Sequence, residues 1–357
     1  MFYGVDLHSD NVKVSVLKQD ETTPKTMRFS FDSDSFKKFL DGLTKEDYIA
    51  VEASTNTFWF YDQVINRVRD CIVIDPFQFD IISKSMVKTD KRDAIHLVKF
   101  LKYSITTGEK LPVVYVPSKE VREIRRLFTT YEFFKKQIVM DKNQIHSLLK
   151  QNGFKFAKES LDQSDTRESI QALLLLSKTV KLEIELIYKN LESLKEAVNQ
   201  IKDEILKNGQ IFRKEINLLT GIKGISVFIA IGIMADVVDV NRFPGVKKFC
   251  SYLRSAPKVD SSNKTTHIGR INKQSRKLTM TLLIESMNHF RRCDKFGQFY
   301  EKKKNGKSAG KVRVAVVRKI LVAIYNMLKN NTNFYYMDKK NHTSKLRAYD
   351  NYLKKIA

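Results

Sequence analysis

The chain is predicted to be a mixed α/β domain followed by helical domains, α/β plus all-α in class, on three observations. Short β-rich runs crowd its first 75 residues, a heptad pattern fills its middle, and Gly and Pro are scarce, at 13 and 6 in 357 residues. That length suits two or three domains. With 42% hydrophobic and 11% aromatic residues there is material for real cores, which excludes wholesale disorder.

The runs FYGVDL (2–7) and VKVSVL (12–17) flank the turn-like HSDN, and the second alternates through Val12, Val14 and Val16. They read as a hairpin, with MRFSFD (27–32) as a candidate third strand. YIAVE (48–52) and CIVID (71–75) read as buried strands, the latter stopped by Pro76, and helical periodicity over 54–70 makes a strand–helix–strand unit. This α/β domain is drawn as 1–118.

From 119 to 152 the pattern is helical. Leu173, Val180, Ile187, Leu194 and Ile201 then recur every seventh residue, interleaved with Ile184, Leu191, Val198 and Ile205. Flanked by Lys and Glu, they form an a/d seam that assigns 119–210 to helical coiled coil, within the chain or dimerising. The plain alternative is one long helix lying on its own domain. Beyond Gly209, Leu218 to Ser226 set two glycines between apolar helical stretches, a tight helix–turn–helix. Such a turn either presents backbone N–H groups to a phosphate or is only a helix hairpin in a core. Residues 254–277 read as a polar, basic loop, and 276–292 and 311–329 as helices. The helical C-terminal domain is drawn as 211–330, with 331–357 as a partly ordered basic arm.

The formal net charge of +24 suggests a polyanionic partner. It is unevenly spread. Residues 1–115 hold 16 Lys and Arg against 17 Asp and Glu, 116–210 hold 17 against 14, and 211–357 hold 31 against 9. Nucleic acid is the expected partner of the last stretch, with anionic membrane as the alternative. There Lys247, Lys248, Arg254, Lys258, Lys264, Arg270, Lys273, Arg276 and Lys277 cluster in loops rather than along one amphipathic helix. Such residues contact phosphates and give affinity without sequence reading. No apolar run of about 18 residues suggests a membrane span, and the N-terminus has no secretory pattern. Three widely spaced cysteines form neither a disulfide framework nor a zinc pattern. A soluble, cytoplasmic protein is expected.

The chemistry-bearing residues are carboxylates in apolar settings. Asp6 lies inside FYGVDL and Glu52 closes YIAVE, and buried acids are costly unless paired or bound to a cation. Asp90 and Asp93 are three apart in KTDKRDAIHLVKFL and share a face of any helix there. Four such acids supply the oxygen ligands that suit Mg²⁺, and metal ions so held can clamp the oxygens of phosphodiester chemistry. Alternatively, each acid caps a helix or meets a nearby Lys or Arg. The six His have no metal spacing, although His8 and His96 fall near the acids and His267 lies in the basic stretch. Gly306-Lys307-Ser308 echoes a phosphate-binding loop, but Glu301 stands where GxxxxGK[ST] needs Gly.

The Asp-in-first-strand arrangement resembles ribonuclease H-like nucleases of the RuvC resolvase type. GVDLHSDNVKVSVL, AVEAS and KTDKRDAIHLVKFL…GEKLPVVYVPS resemble the N-terminal domain of the DEDD insertion-sequence transposases, relatives of the pilin-gene invertase that include the bridge-RNA-guided recombinases. LLTGIKGISVFIAIGIMADVVDVNRFPGVKKFCSYLRSAPKVDSSNKTTHIGRINKQSRKL and AGKVRVAVVRKILVAIYNMLKNN resemble the second half of the same proteins. The resemblance spans about residues 1–330. It implies an RNase H-like domain whose Asp6, Glu52, Asp90 and Asp93 bind Mg²⁺, and a second domain with a serine nucleophile. Counting from Pro257 to Gly269 places that serine at Ser262, with Ser261 beside it as the alternative; Asn263 follows where the family has Gly. It further implies DNA as substrate and a guide (bridge) RNA. A homo-oligomer, a dimer or dimer of dimers, is expected, and because a coiled coil separates the two domains in sequence, the serine domain of one subunit is expected to complete the acidic domain of another. Two other functions use the same residues differently. One is a metal-dependent junction nuclease with water as nucleophile, and the other a non-catalytic nucleic-acid-binding scaffold.

Overall fold

A computed structural model describes residues 1–83, 90–173, 175–262, 265–271 and 275–356. The chain divides into two units, Met1–Pro117 and Ser118–Ala357.

The first unit is a five-stranded sheet between two helical layers. Its strands are β1 (Phe2–Leu7), β2 (Asn11–Leu17), β3 (Lys25–Ser30), β4 (Tyr48–Glu52) and β5 (Asp70–Ile74), in the order β3-β2-β1-β4-β5. β1, β2 and β3 pair antiparallel, whereas β4 runs parallel to both β1 and β5. The hairpin, the third strand and the strand–helix–strand unit expected from the sequence are all present. The mixed sheet is consistent with the RNase H-like fold that the resemblance implies. Because side chains alternate across a strand, Tyr3, Val5 and Leu7 face one layer. There α1 (Asp34–Asp41) and α2 (Thr57–Val64) contribute Phe36, Leu40, Phe60 and Val64. Phe2, Ala50 and Ile74 face the other layer, where α3 (Pro76–Ser83) and α4 (Asp90–Thr107) supply Phe79, Leu97, Val98 and Leu101.

Gly4 sets how close α4 lies. A Cβ there would stand 2.3 Å from the carbonyl oxygen of Ala94 and 2.4 Å from the amide nitrogen of Val98. Both are backbone atoms of α4 and cannot swing aside. The helix therefore crosses directly over β1, which only a residue without a side chain permits.

In the second unit, α5 (Lys119–Gln151) and α7 (Lys178–Asn208) run antiparallel, linked through α6 (Ser164–Gln171). At 1.5 Å per residue, α5 is about 50 Å long. Asn190 donates to Asp141 at 2.7 Å near one end, and Phe128 and Ile205 share a core at the other. The heptad positions Ile184, Leu191 and Ile205 are buried, while Val180, Ile187, Leu194, Val198 and Ile201 are half-buried. The seam thus packs on α5 of the same chain. Leu173 lies ahead of α7, whose start is capped by Ser177 accepting from the Val180 amide.

The remaining elements surround α9 (Val227–Val237), which is apolar on nearly every face and therefore central. They are α8 (Arg213–Leu219), α10 (Val246–Tyr252), β6 (Pro257–Ser262), β7 (Thr265–Ile271), α11 (Leu278–Glu285), α12 (Met287–Arg291), α13 (Asp294–Lys304), α14 (Ala309–Asn330) and α15 (Lys339–Ile356). Three expectations differ from this outcome. The helix expected over 276–292 breaks at Ser286 into α11 and α12. The basic stretch 254–277, expected as loop, contains the β6–β7 hairpin, whose β-branched Val259, Thr265, Thr266, Ile268 and Ile271 favour strand over loop. The tail expected as an arm contains α15, because Leu346, Tyr349 and Leu353 form an apolar edge among its charges. Tyr349 is buried there and donates to the Leu206 carbonyl at 2.7 Å.

Among the described residues no helix is long and apolar enough to cross a membrane. Cys71, Cys250 and Cys293 are free and buried. Replacing Gly4 by Ala is expected to destabilise the first unit by about 3 kcal/mol, since overpacking here meets backbone. Urea unfolding followed by circular dichroism measures it.

Candidate functional site

The acidic site begins in the strand register. Val5 of β1 pairs in parallel with Val51 of β4, so Asp6 and Glu52 follow side by side at the carboxyl ends of adjoining strands. In open α/β sheets that edge is where ligands bind. The loops beyond are tied together. Asn56 donates to the His8 carbonyl at 2.7 Å, and the Thr57 hydroxyl to the Glu52 carbonyl at 2.8 Å. Asp6 is 16% exposed, and its Oδ2 lies 3.3 Å from Nε2 of His8.

α4 approaches the same edge. It runs against β1, with Leu97, Val98 and Leu101 beside Phe2 and Ala94 over Gly4, so its start points toward Asp6. Asp93 is half-buried in its first turn. Asp90 begins the helix, and its side chain lies outside the described residues. The sheet edge therefore gathers Asp6, Glu52 and the N-terminal turn of α4. The donor set is all oxygen and suits a hard cation. Among the described residues, however, no three His, Cys, Asp or Glu side chains stand close enough to hold a metal ion.

The predicted serine falls in the second unit. In the β6–β7 hairpin Ser262 pairs with Thr265 and Ser261 with Thr266, so Ser262 belongs to the last described pair of the ladder. The side chains of Ser261 and Ser262 lie outside the described residues, as does Asn263.

The base of this hairpin is held by a carboxylate. Asp236, near the end of α9, is 0% exposed. Its Oδ1 accepts from Nε of Arg276 at 2.8 Å, and its Oδ2 from the Thr279 amide at 3.0 Å and hydroxyl at 2.9 Å. Arg276 lies just past the hairpin and Thr279 at the start of α11, so one buried charge ties three elements. The Arg276 amide also donates to the Tyr252 carbonyl at 3.0 Å, and Nε of Arg254 to the Ser275 carbonyl at 2.6 Å.

Val238 ends α9 with φ 59° and ψ −69°, and the Asp239 amide donates across it to the Val237 carbonyl at 2.8 Å. That is a γ-turn of the strained kind, centred on a β-branched residue. Two arginines bind the carbonyls beside it. Arg125 donates to those of Ala235 and Asp236, and Arg242 to those of Val237 and Asp236. Burial, and the neighbouring Arg276, lower the pKa of Arg125.

The nine basic residues expected at nucleic acid thus divide. Lys247 and Lys248 on α10 and Lys277 before α11 are exposed. Arg254 and Arg276 instead spend guanidinium donors on the fold beneath the hairpin. Lys264 and Lys273, and the side chains of Lys258 and Arg270, lie outside the described residues. Sequence reasoning missed Asp236, although an acid inside VFIAIGIMADVV is the same signal that singled out Asp6 and Glu52.

Residues 3–153 match a family model for transposases of the DEDD IS110 type, described as "Transposase". Residues 216–301, which include Asp236, the β6–β7 hairpin and Arg276, match the model described as "Transposase IS116/IS110/IS902 family". Together the two matches cover about two thirds of the chain. A Sinorhizobium fredii protein named "Putative transposase y4qE" is 22% identical over 261 residues, 70% of this chain and 60% of that protein.

Replacing Arg276 by Met leaves Asp236 buried and short of its cation, and is expected to cost about 3–5 kcal/mol. Lys277→Ala, one residue away, should stay within about 0.5 kcal/mol of the parent. Val238→Gly should stabilise by about 1 kcal/mol by relieving the left-handed backbone. Urea titrations of the three variants check all of these values.

Proposed function

Starting from the fact that this chain belongs to the IS110 family of DEDD transposases, we propose that it cuts and rejoins DNA strands through Ser262. The observation that carries this reading is the order of two sites along one chain. An acidic sheet edge lies in the half that matches the DEDD model, and a serine hairpin on a buried clamp lies in the half that matches the second model.

In this mechanism the Ser262 hydroxyl gives up its proton and its oxygen attacks a backbone phosphorus. A serine–phosphate ester forms as one DNA P–O bond breaks, and the proton goes to the departing DNA oxygen. One ester replaces another, so rejoining by the reverse attack needs no energy-supplying cofactor. A serine hydroxyl is a weak nucleophile without a base or a metal. Asp6, Glu52, Asp90 and Asp93 would hold Mg²⁺, which supplies Lewis-acid activation of oxygen when bound. Exposed Lys247, Lys248 and Lys277 supply backbone affinity that falls as salt rises. The acids and the serine belong to separate units of the chain, which suits a site completed between subunits of a homo-oligomer. The sequence around the basic residues carries no base-reading motif, which suits delegation of sequence choice to a guide RNA.

Incubation with end-labelled DNA and Mg²⁺, then denaturing electrophoresis, is expected to show a covalent protein–DNA band. Ser262→Ala should remove it, Ser261→Ala should keep it, and Asp6→Asn or chelation should reduce it more than about 1,000-fold. Undiminished cleavage by Ser262→Ala would assign the attack to water. Mixing Ser262→Ala with Asp6→Ala subunits should restore part of the activity if subunits share a site. Sequencing RNA that co-purifies with the protein tests the guide.

A further inference from the structure

The turn between α8 and α9 collects three carbonyl oxygens around one charge. Nζ of Lys345, on α15, lies 3.0 Å from the Thr220 carbonyl, 3.4 Å from that of Ile222 and 2.9 Å from that of Ile225. A lysine at a helix C-terminus commonly meets the last carbonyls of that helix. Here only Thr220 caps α8. Ile222 and Ile225 belong to the turn itself, so the oxygens form an arc in the loop rather than a helix end.

The backbone is shaped to make that arc. Gly224 has φ +101°, and a Cβ there would stand 2.7 Å from the Phe290 ring, so the position needs glycine on both counts. Three carbonyl dipoles aimed at one point repel one another unless a cation sits among them. Backbone oxygens gathered in this way replace the hydration shell of a monovalent ion. An ammonium group is a compact, strongly hydrated point charge on a flexible stem.

We propose that the α8–α9 turn is a monovalent-cation site, of the class that takes K⁺ or Na⁺, and that the side chain of Lys345 is its resident cation. The central helix hairpin then needs no free ion, because the docking of α15 fills the site. That docking has its own supports. Tyr349 donates to the Leu206 carbonyl, Arg213 pairs with Asp350 at 2.6 Å, and Nε2 of His342 lies 2.8 Å from the Asn217 carbonyl. Burial lowers the pKa of Lys345, the cost expected of a charge held away from water. Lys345 also lines an open cleft with Ser226, Glu285 and Tyr349, so a cradle vacated by substitution can be reached from solvent. The inference is independent of the serine chemistry.

The test is thermal unfolding of the full-length protein in KCl, NH₄Cl and choline chloride at equal ionic strength. Choline is too large to enter a carbonyl arc. The parent should melt at one temperature in all three salts. Lys345→Met, which keeps the stem and removes the ammonium, should melt at least about 4 °C lower in choline than in KCl or NH₄Cl. Lys345→Gln, whose amide still donates, should show the same order with a smaller gap. Equal melting of Lys345→Met in all salts would overturn the proposal. So would failure of both variants to fold in KCl and NH₄Cl, since a free cation would then be no substitute for the lysine.

Discussion

A carboxylate with no access to water organises the C-terminal unit. Asp236 sits at the end of the most apolar helix in the chain, where an unpaired charge would cost more than most domains have to spare. Its two oxygens accept three hydrogen bonds, one from the Arg276 guanidinium and two from the amide and hydroxyl of Thr279. Those partners lie on the segment leaving the β6–β7 hairpin and on the helix after it. The hairpin therefore leaves the core from a fixed place. The neighbouring backbone is bent to the same purpose. The γ-turn at Val238 turns three successive carbonyls outward, and Arg125 and Arg242 bind them. One buried acid and the bent backbone beside it together engage three arginines.

This changes the meaning of the positive charge. The 31 Lys and Arg of residues 211–357 looked like a single surface for a polyanion. Several also serve as counter-charges within the fold. Arg276 answers Asp236, Arg242 and Arg254 answer carbonyl dipoles, and Lys345 answers the α8–α9 turn. Lys247 and Lys248 on α10 and Lys277 before α11 are exposed. The sorting follows chemistry, since three of these internal roles fall to the planar, multi-donor guanidinium and the exposed ones to the ammonium.

Much of the α/β fold was legible because strands announce themselves by alternation and by β-branched composition, as in Val12, Val14 and Val16. α1 was not, since DSFKKFLD is two turns of mostly polar residues whose helical sense comes from Ser33 capping the Phe36 amide and from Phe36 and Leu40 meeting the sheet. α15 was hidden in the same way. Its apolar residues are few and its lysines many, and its partners lie more than a hundred residues away in sequence. The strand positions of Asp6 and Glu52 followed from their strand patterns, and the register sets them side by side. Whether a seam of heptads meets a second helix of its own chain or of another is not encoded in the seam. The length of α5 and the return through α6 decide it. Ser262 was found by resemblance alone, because a serine in a polar stretch carries no physical mark; Asp236 did carry one.

The α5–α7 hairpin has its apolar residues in two separate clusters. One end, with Val121, Ile124, Phe128 and Ile205, belongs to the main core. The other, with Ile145, Leu149, Leu161, Ile170, Ile184, Tyr188 and Leu191, is closed on itself and stapled by the Tyr188 hydroxyl on the Leu161 carbonyl. Two clusters on one pair of helices make two cooperative units of unequal depth. Amides around the outer cluster can open and exchange while those beside Phe128 and Ile205 stay protected, so a single pair of continuous helices carries a boundary in stability that its geometry does not display.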